Sequence, residues 1–143
     1  MEKALIEAES AALRGEVPVG AVIVSAEGEL LASAGNETEA LNDPTAHAEI
    51  LAIKKACAKL GAPRLVGCDL YVTLEPCTMC AAAISFARFR KVIFAAYDPK
   101  GGAVEHGARF YSQPTCHHAP EVVGGVEETK ASNLLKRFFK DRR

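Results

Sequence analysis

The sequence lacks the features that would take a chain of this size out of water. No run approaches the ~18 consecutive apolar residues of a membrane span. The first sixteen residues are acidic and helical in pattern, not a basic stretch followed by an apolar one, so no export signal is read there. A soluble, cytoplasmic chain is the expectation. Internal repeats, low-complexity tracts and Gly/Ser linkers are also missing, and 143 residues, 49% of them hydrophobic, read as one domain over 1–143. Cysteine comes in the wrong number for a disulfide framework: there are five, at 57, 68, 77, 80 and 116, and without export they stay reduced. Finally, there is no excess charge of either sign. Lys+Arg number 17 and Asp+Glu 18, a net −1 that speaks against a nucleic-acid partner when taken as an average. The average conceals a split, because residues 1–49 hold ten acids and two bases, while residues 50–143 hold eight acids and fifteen bases.

What is present has clear periodicity. Leu5, Ala8, Ala12 and Leu13 predict a helix over 2–14, ended by Gly15. Residues 17–24 read as a buried strand, 26–28 as a turn and 30–34 as an antiparallel return strand. A polar loop leads to a helix running to Leu60, with Thr45 as its N-cap or Asp43 before Pro44 at the first helical position. A strand over 70–74, a helix over 77–86 and a strand over 92–96 follow. This alternation predicts right-handed crossovers and an α/β sheet with helices on both faces. Residues 97–126 are glycine-rich and read as irregular, and 127–143 closes as a helix carrying Leu134, Leu135, Phe138 and Phe139.

The sharpest signal is Pro76-Cys77-Thr78-Met79-Cys80, placed directly after a predicted strand. Cysteines three apart at a helix start lie one turn apart on one face, and the helix N-terminus favours the thiolate form. Three readings compete: two ligands for one metal ion, a redox Cys-x-x-Cys, or two small buried hydrophobes. The second signal, Ala46-His47-Ala48-Glu49, is weak alone, since a lone His is usually structural and a Glu in a first turn usually answers the helix dipole.

Together, His-x-Glu and the later Pro-Cys-x-x-Cys resemble the signature of the zinc nucleobase deaminases, a known motif of that family and not a deduction from spacing. The residues make chemical sense of it. His47, Cys77 and Cys80 supply three donors to one Zn2+, leaving the fourth position for water, as catalytic sites do. Glu49 is then free to carry protons, although positions i and i+2 do not face each other on a regular helix, so its side chain must bridge that angle. A closed structural site is the competing reading. It needs a fourth ligand, for which Cys57, Cys68, Cys116, His106, His117 and His118 qualify by type. Cys57 and Cys68 sit in apolar patterns and read as core, while Cys116-His117-His118 stays open as a second, unrelated metal site.

Further blocks extend the resemblance over essentially the whole chain: Glu16-Val17-Pro18-Val19-Gly20-Ala21-Val22, Gly35-Asn36, Asp43 through Glu49, Thr73 through Cys80, Asp98-Pro99-Lys100-Gly101-Gly102-Ala103 and Leu134 through Lys140. The sequence resembles the bacterial tRNA-specific adenosine deaminases of the cytidine/deoxycytidylate deaminase superfamily. The Asp98 block and the basic, aromatic ending favour that branch over guanine and cytosine deaminases, which share the other motifs. The resemblance implies a three-layer α/β/α cytidine-deaminase-like fold with a mixed sheet of about five strands. It implies a homodimer with one zinc per chain, acting on the wobble adenosine of a tRNA anticodon stem-loop to give inosine. It suggests His47, Cys77 and Cys80 as zinc ligands and Glu49 as proton shuttle.

Asn36 would meet the flipped nucleotide, and Asp98, Lys100, Phe139, Lys140 and Arg142 would lie at the RNA. By itself Asn36 reads as a turn residue of left-handed geometry, Asp98 to Gly102 as a plain loop, the two Phe as core and the terminal bases as a solvated helix end. From Lys130 onward there are six Lys or Arg against one Asp, and phosphate contact becomes the better reading beside the zinc motif. Ending at Arg143 predicts weaker affinity for RNA, or contact limited to the anticodon arm. A free-base or nucleoside deaminase such as guanine deaminase is the alternative enzyme, and a non-catalytic zinc-stabilised RNA-binding module the alternative outside enzymes. A thiol oxidoreductase leaves His47 and Glu49 unexplained.

Overall fold

In the computed structural model, which describes residues 1–142, the chain runs α1 (Glu2–Leu13), β1 (Gly20–Val24), β2 (Leu30–Gly35), α2 (Ala48–Leu60), β3 (Asp69–Leu74), α3 (Thr78–Phe86), β4 (Lys91–Ala96), a 3-10 turn (Phe110–Ser112), β5 (Glu121–Val123) and α4 (Glu128–Lys140). The strands form one five-stranded mixed sheet in the order β2-β1-β3-β4-β5. β1 runs antiparallel to β2 and β3, whereas β3, β4 and β5 are mutually parallel. This is the α/β/α architecture that the alternation and the resemblance predict.

Strand parity sorts the two helical layers. Ala21 and Ile23 of β1 enter a core with Ala48, Ala52 and Ala56 of α2 and with Ala81 and Ile84 of α3. On the other face Leu5 of α1 and Ala131 of α4 pack with Ala95 of β4. The α1 layer lies unusually close to the sheet. A Cβ on Gly20 would collide with the Ala4 carbonyl and sit 2.7 Å from the Ala8 nitrogen, and Ala4, Ala8 and Ala11 of α1 are fully buried.

Several assignments differ from the sequence expectation. β1 begins at Gly20 and not at 17, because Pro18 has no amide hydrogen and Val19 N donates back to Val17 O at 2.8 Å. α2 begins at Ala48, so neither Thr45 nor Pro44 starts it. Asp43 Oδ1 instead accepts from both Thr45 N (2.8 Å) and Thr45 Oγ1 (2.7 Å), closing a turn that leaves His47 extended at φ −72, ψ 153 as the N-cap. The stretch 97–126 is not wholly irregular, since it holds the 3-10 turn and the edge strand β5, paired with Lys91, Val92 and Ile93. α4 ends at Lys140, and Arg143, expected in the closing helix and its basic face, lies outside the described residues.

The carboxyl ends of β2, β3 and β4 and the amino end of β1 share one edge of the sheet. The connections 36–47, 75–77 and 97–109 all leave from that edge, the general place for ligands in α/β sheets. Among the described residues, no helix is long and apolar enough to cross a membrane.

Candidate active site

Two helix starts meet at this edge. His47 is the N-cap of α2 and Cys77 the N-cap of α3, both with extended backbone and neither using its side chain to cap. An extended N-cap turns its side chain away from the helix barrel, so the i, i+2 conflict between His47 and Glu49 does not arise: Glu49 lies within the helix and His47 precedes it. The N-terminal amides are served from elsewhere. Asn36 Oδ1, just after the end of β2, accepts from Ala48 N at 2.9 Å.

His47 Nδ1 stands 3.6 Å from Cys77 Sγ and 3.5 Å from Cys80 Sγ. Zinc–sulfur bonds of about 2.3 Å and zinc–nitrogen of about 2.05 Å at a tetrahedral angle separate the two donors by about 3.6 Å, so the three atoms are spaced to bind one zinc. They are the one group of three His, Cys, Asp or Glu donors within 4.8 Å of one another among the described residues. Three protein donors leave one coordination position for a water or substrate. Electrostatics agree. Hydrogen bonding from Cys80 first, and then from His47, holds the Cys77 thiol down at about 4 against the opposing effect of burial. Cys77 and burial in turn drive the Cys80 thiol up, and Cys77 raises His47. One thiolate forms readily and the second is resisted by the first, a donor pair that a divalent cation satisfies.

Glu49 is 4% exposed and lies beside this group; burial pushes its carboxyl up to about 7. A cavity of about 250 Å³ opens over these residues, with His47, Glu49 and Cys77 at its base and Val17, Val19, Asn36, Leu74, Glu75, Asp98 and Gly101 as walls. Asn36 does not adopt the left-handed geometry read for it as a turn residue; in this loop Asn42 does, at φ 49. Because its Oδ1 is taken by Ala48 N, its amide nitrogen is what it can offer to the cavity.

The remaining sequence candidates collect in a second, wider cleft of about 880 Å³, where Lys100 faces Leu135, Lys136, Phe139, Lys140 and Arg142 of the α4 end. Asp98 and Lys100, two residues apart, thus belong to different walls. Phe138 is 8% exposed and carries the Arg142 guanidinium 3.6 Å over its ring, whereas Phe139 is 47% exposed, its ring edge-on to Phe138. No ion pair among the described residues involves Lys100, Lys136, Lys140 or Arg142.

Cys57 and Cys68 pack with the core as the sequence suggests. Among the described residues, Cys116, His117 and His118 belong to no group of three metal donors. Ser85 Oγ donates to His118 O at 2.6 Å, Cys116 Sγ donates to the same carbonyl at 3.3 Å and His118 Nε2 donates to Phe89 O at 2.7 Å, so the segment ties the β4–β5 connection to the end of α3.

Sequence reasoning missed two buried glutamates. Glu16, 1% exposed, accepts from Ala40 N at 2.9 Å, Glu39 N at 3.2 Å and Thr38 Oγ1 at 3.4 Å. Glu75, 2% exposed, accepts from the backbone of residues 98–106. Each holds a cavity loop, and the sequence sign is no more than a carboxylate standing beside a strand.

Residues 1–96 match the cytidine and deoxycytidylate deaminase zinc-binding region. A tRNA-specific adenosine deaminase of Agrobacterium fabrum is 61% identical over 143 residues, which is all of this chain and 93% of that protein. The chain belongs to the tRNA-specific adenosine deaminase family. Another member, from Aquifex aeolicus, is 50% identical over 98% of this chain and 91% of its own length. Among solved structures, one from work on A-to-I editing by tRNA:A34 deaminases at the wobble position of transfer RNA superposes with a TM-score of 0.93 at 62% identity, covering 94% of this chain and 97% of that one. In this deaminase family the zinc-binding region spans α1 to β4, and in this chain the three donors sit at the two helix starts inside it.

Proposed function

We propose that this chain converts adenosine to inosine by hydrolysis at the wobble position of a tRNA anticodon stem-loop. The observation that carries the reading is the pairing of two sites: a base-sized cavity over Glu49 and three zinc donors, and a cleft of cations without ion pairs among the described residues, with one exposed aromatic ring, the two joined by the loop that carries Asp98 and Lys100. A free base or nucleoside needs only the first. A single strand with its base turned out needs both, since stacking on an aromatic ring and phosphate contacts hold the flanking nucleotides.

His47 Nδ1, Cys77 Sγ and Cys80 Sγ would hold the zinc. When bound, it supplies Lewis acidity that brings a water toward a pKa of about 7. Glu49 works as the proton carrier. A carboxyl that titrates at about 7 takes a proton as readily as it gives one up: Glu49 moves one proton from the attacking water to a purine ring nitrogen, then a second from the new hydroxyl to the amine, which departs as ammonia. Water and adenosine are consumed, inosine and ammonia released, and Glu49 ends as it began. Asn36 donates from its amide nitrogen to the nucleotide, and Asp98 lines another wall of the cavity. Phe139 stacks on a neighbouring base, while Lys100, Lys140 and Arg142 meet phosphates. The working form is a cytoplasmic homodimer. Phe86, 70% exposed at the end of α3, and Leu60, 48% exposed at the end of α2, are apolar side chains that a second copy would cover.

The test is to incubate the purified protein with total tRNA, free adenosine and guanine, beside Glu49→Ala, and to identify products by nucleoside analysis. Inosine in tRNA alone, lost in Glu49→Ala with zinc retained, is the expected result. Equal turnover of adenosine or guanine overturns it.

A further inference from the structure

We infer that Glu75 is a positioning residue for the RNA substrate: its buried carboxylate shapes residues 98–106 into the wall shared by the base cavity and the basic cleft. The inference rests on the deaminase reading above.

A carboxylate with no accessible side-chain surface and no Lys or Arg partner is costly unless hydrogen bonds fill its lone pairs. In Glu75 they all come from one loop. Oε1 accepts from Asp98 N at 2.9 Å and from His106 Nδ1 at 2.8 Å. Oε2 accepts from Val104 N at 3.2 Å, Glu105 N at 2.8 Å and His106 N at 3.1 Å. Three successive amides thus converge on one oxygen, as they do around a bound anion, and here the anion is a side chain. Between these anchor points the loop doubles back tightly, with Gly102 N donating to Asp98 O and Ala103 N to Pro76 O, each at 2.9 Å. A Cβ on Gly102 would lie 2.5 Å from Asp98 O and 2.6 Å from Glu75 Cδ, so the loop closes on the carboxylate only with glycine there.

The position of Glu75 gives this arrangement its consequence. Its own amide donates to Ala96 O of β4 at 2.8 Å, and two residues later the chain supplies the zinc ligand Cys77. The loop it holds delivers Asp98 and Gly101 to the base cavity and Lys100 to the basic cleft. Glu75 thereby sets the distance between the reacting centre and the residues that receive the RNA, acting through the loop and not as a metal ligand or proton carrier. The donors and Glu49 on α2 and α3 do not depend on those five hydrogen bonds. Loss of the carboxylate should weaken substrate capture more than turnover.

The experiment measures kcat, KM and zinc content with an anticodon stem-loop RNA for the wild-type protein, Glu75→Gln, Gly102→Ala, His106→Asn and His106→Ala. A glutamine keeps one acceptor oxygen and presents an amide to the remaining N–H groups; the Gly102→Ala methyl presses on the carboxylate and on the Asp98 carbonyl of the same loop. For both, KM should rise about tenfold or more, with kcat within about threefold and one zinc per chain retained. His106→Asn, which keeps a donor near Oε1, should lie closer to wild type than His106→Ala. KM values within about twofold of wild type in both Glu75→Gln and Gly102→Ala overturn the inference, as does a fall in kcat with zinc loss at unchanged KM. If Glu75→Gln does not fold, Gly102→Ala and His106→Ala carry the same comparison. Wild-type protein that forms no inosine defeats the deaminase reading itself, which separates that failure from this one.

Discussion

Asn36 Oδ1 accepts the amide hydrogen of Ala48 at 2.9 Å, so a residue following β2 caps the helix that carries Glu49. Substitution here separates two jobs. Asn36→Asp keeps the acceptor and the cap but removes the amide donor. It should therefore leave Tm within a few degrees of wild type while lowering kcat/KM for stem-loop RNA by about tenfold. Asn36→Ala loses both and should also cost about 1 kcal/mol of stability. A Tm scan beside steady-state kinetics distinguishes the two, and Asp behaving like Ala in both would show that no donor role exists.

Glu49→Gln should lower kcat by about 10²–10⁴ with zinc still bound, the usual contribution of a positioned proton carrier. Stability should not fall, because burial holds this carboxyl near 7 and its ionised form is disfavoured in the folded protein. Metal analysis, single-turnover rates and thermal unfolding check the three parts separately.

Glu16 is predicted to be a stability residue of the cavity wall. It accepts from Glu39 N, Ala40 N and Thr38 Oγ1 while 1% exposed, so Glu16→Ala leaves these donors without partners, at about 1–3 kcal/mol. Denaturant unfolding should show the loss, and amide exchange should quicken first in residues 37–43.

The cleft cations should act through the salt dependence of binding. Lys140→Ala with Arg142→Ala should weaken RNA binding and reduce the log–log salt slope by about 0.7–0.9 for each phosphate that is no longer neutralised. Arg142 also stacks on Phe138, so a control measurement of Tm is needed beside the titration. An unchanged slope would make the α4 end a structural element only.

The cysteine pair is legible in the sequence because its spacing is local, whereas His47, thirty positions before Cys77, joins it through the resemblance. Cys77 and Cys80 are one helical turn apart and His47 opens the preceding helix, but the residues alone leave a redox or a packing role open for the cysteines. The start of α2 is not legible, because its cap comes from Asn36, twelve positions earlier, while Thr45, the obvious local candidate, is engaged with Asp43. β5 escapes notice for a different reason: three residues at a sheet edge carry no alternation to read, and only the pairing with Lys91, Val92 and Ile93 defines it. The order of residues 98–106 is hidden most completely, since the group that imposes it lies 23 to 31 positions away. Glycine content there signals freedom, and Glu75 removes it.

Glu16 and Glu75 stand behind different walls of the same cavity, and both are satisfied by the protein alone. The receptacle is therefore preorganised. It has little conformational entropy left to lose when occupied, and little capacity to reshape itself around a poor fit. The work of deformation then falls on the RNA, so an anticodon loop that already leaves its first base weakly stacked has an advantage over any duplex, whatever its sequence.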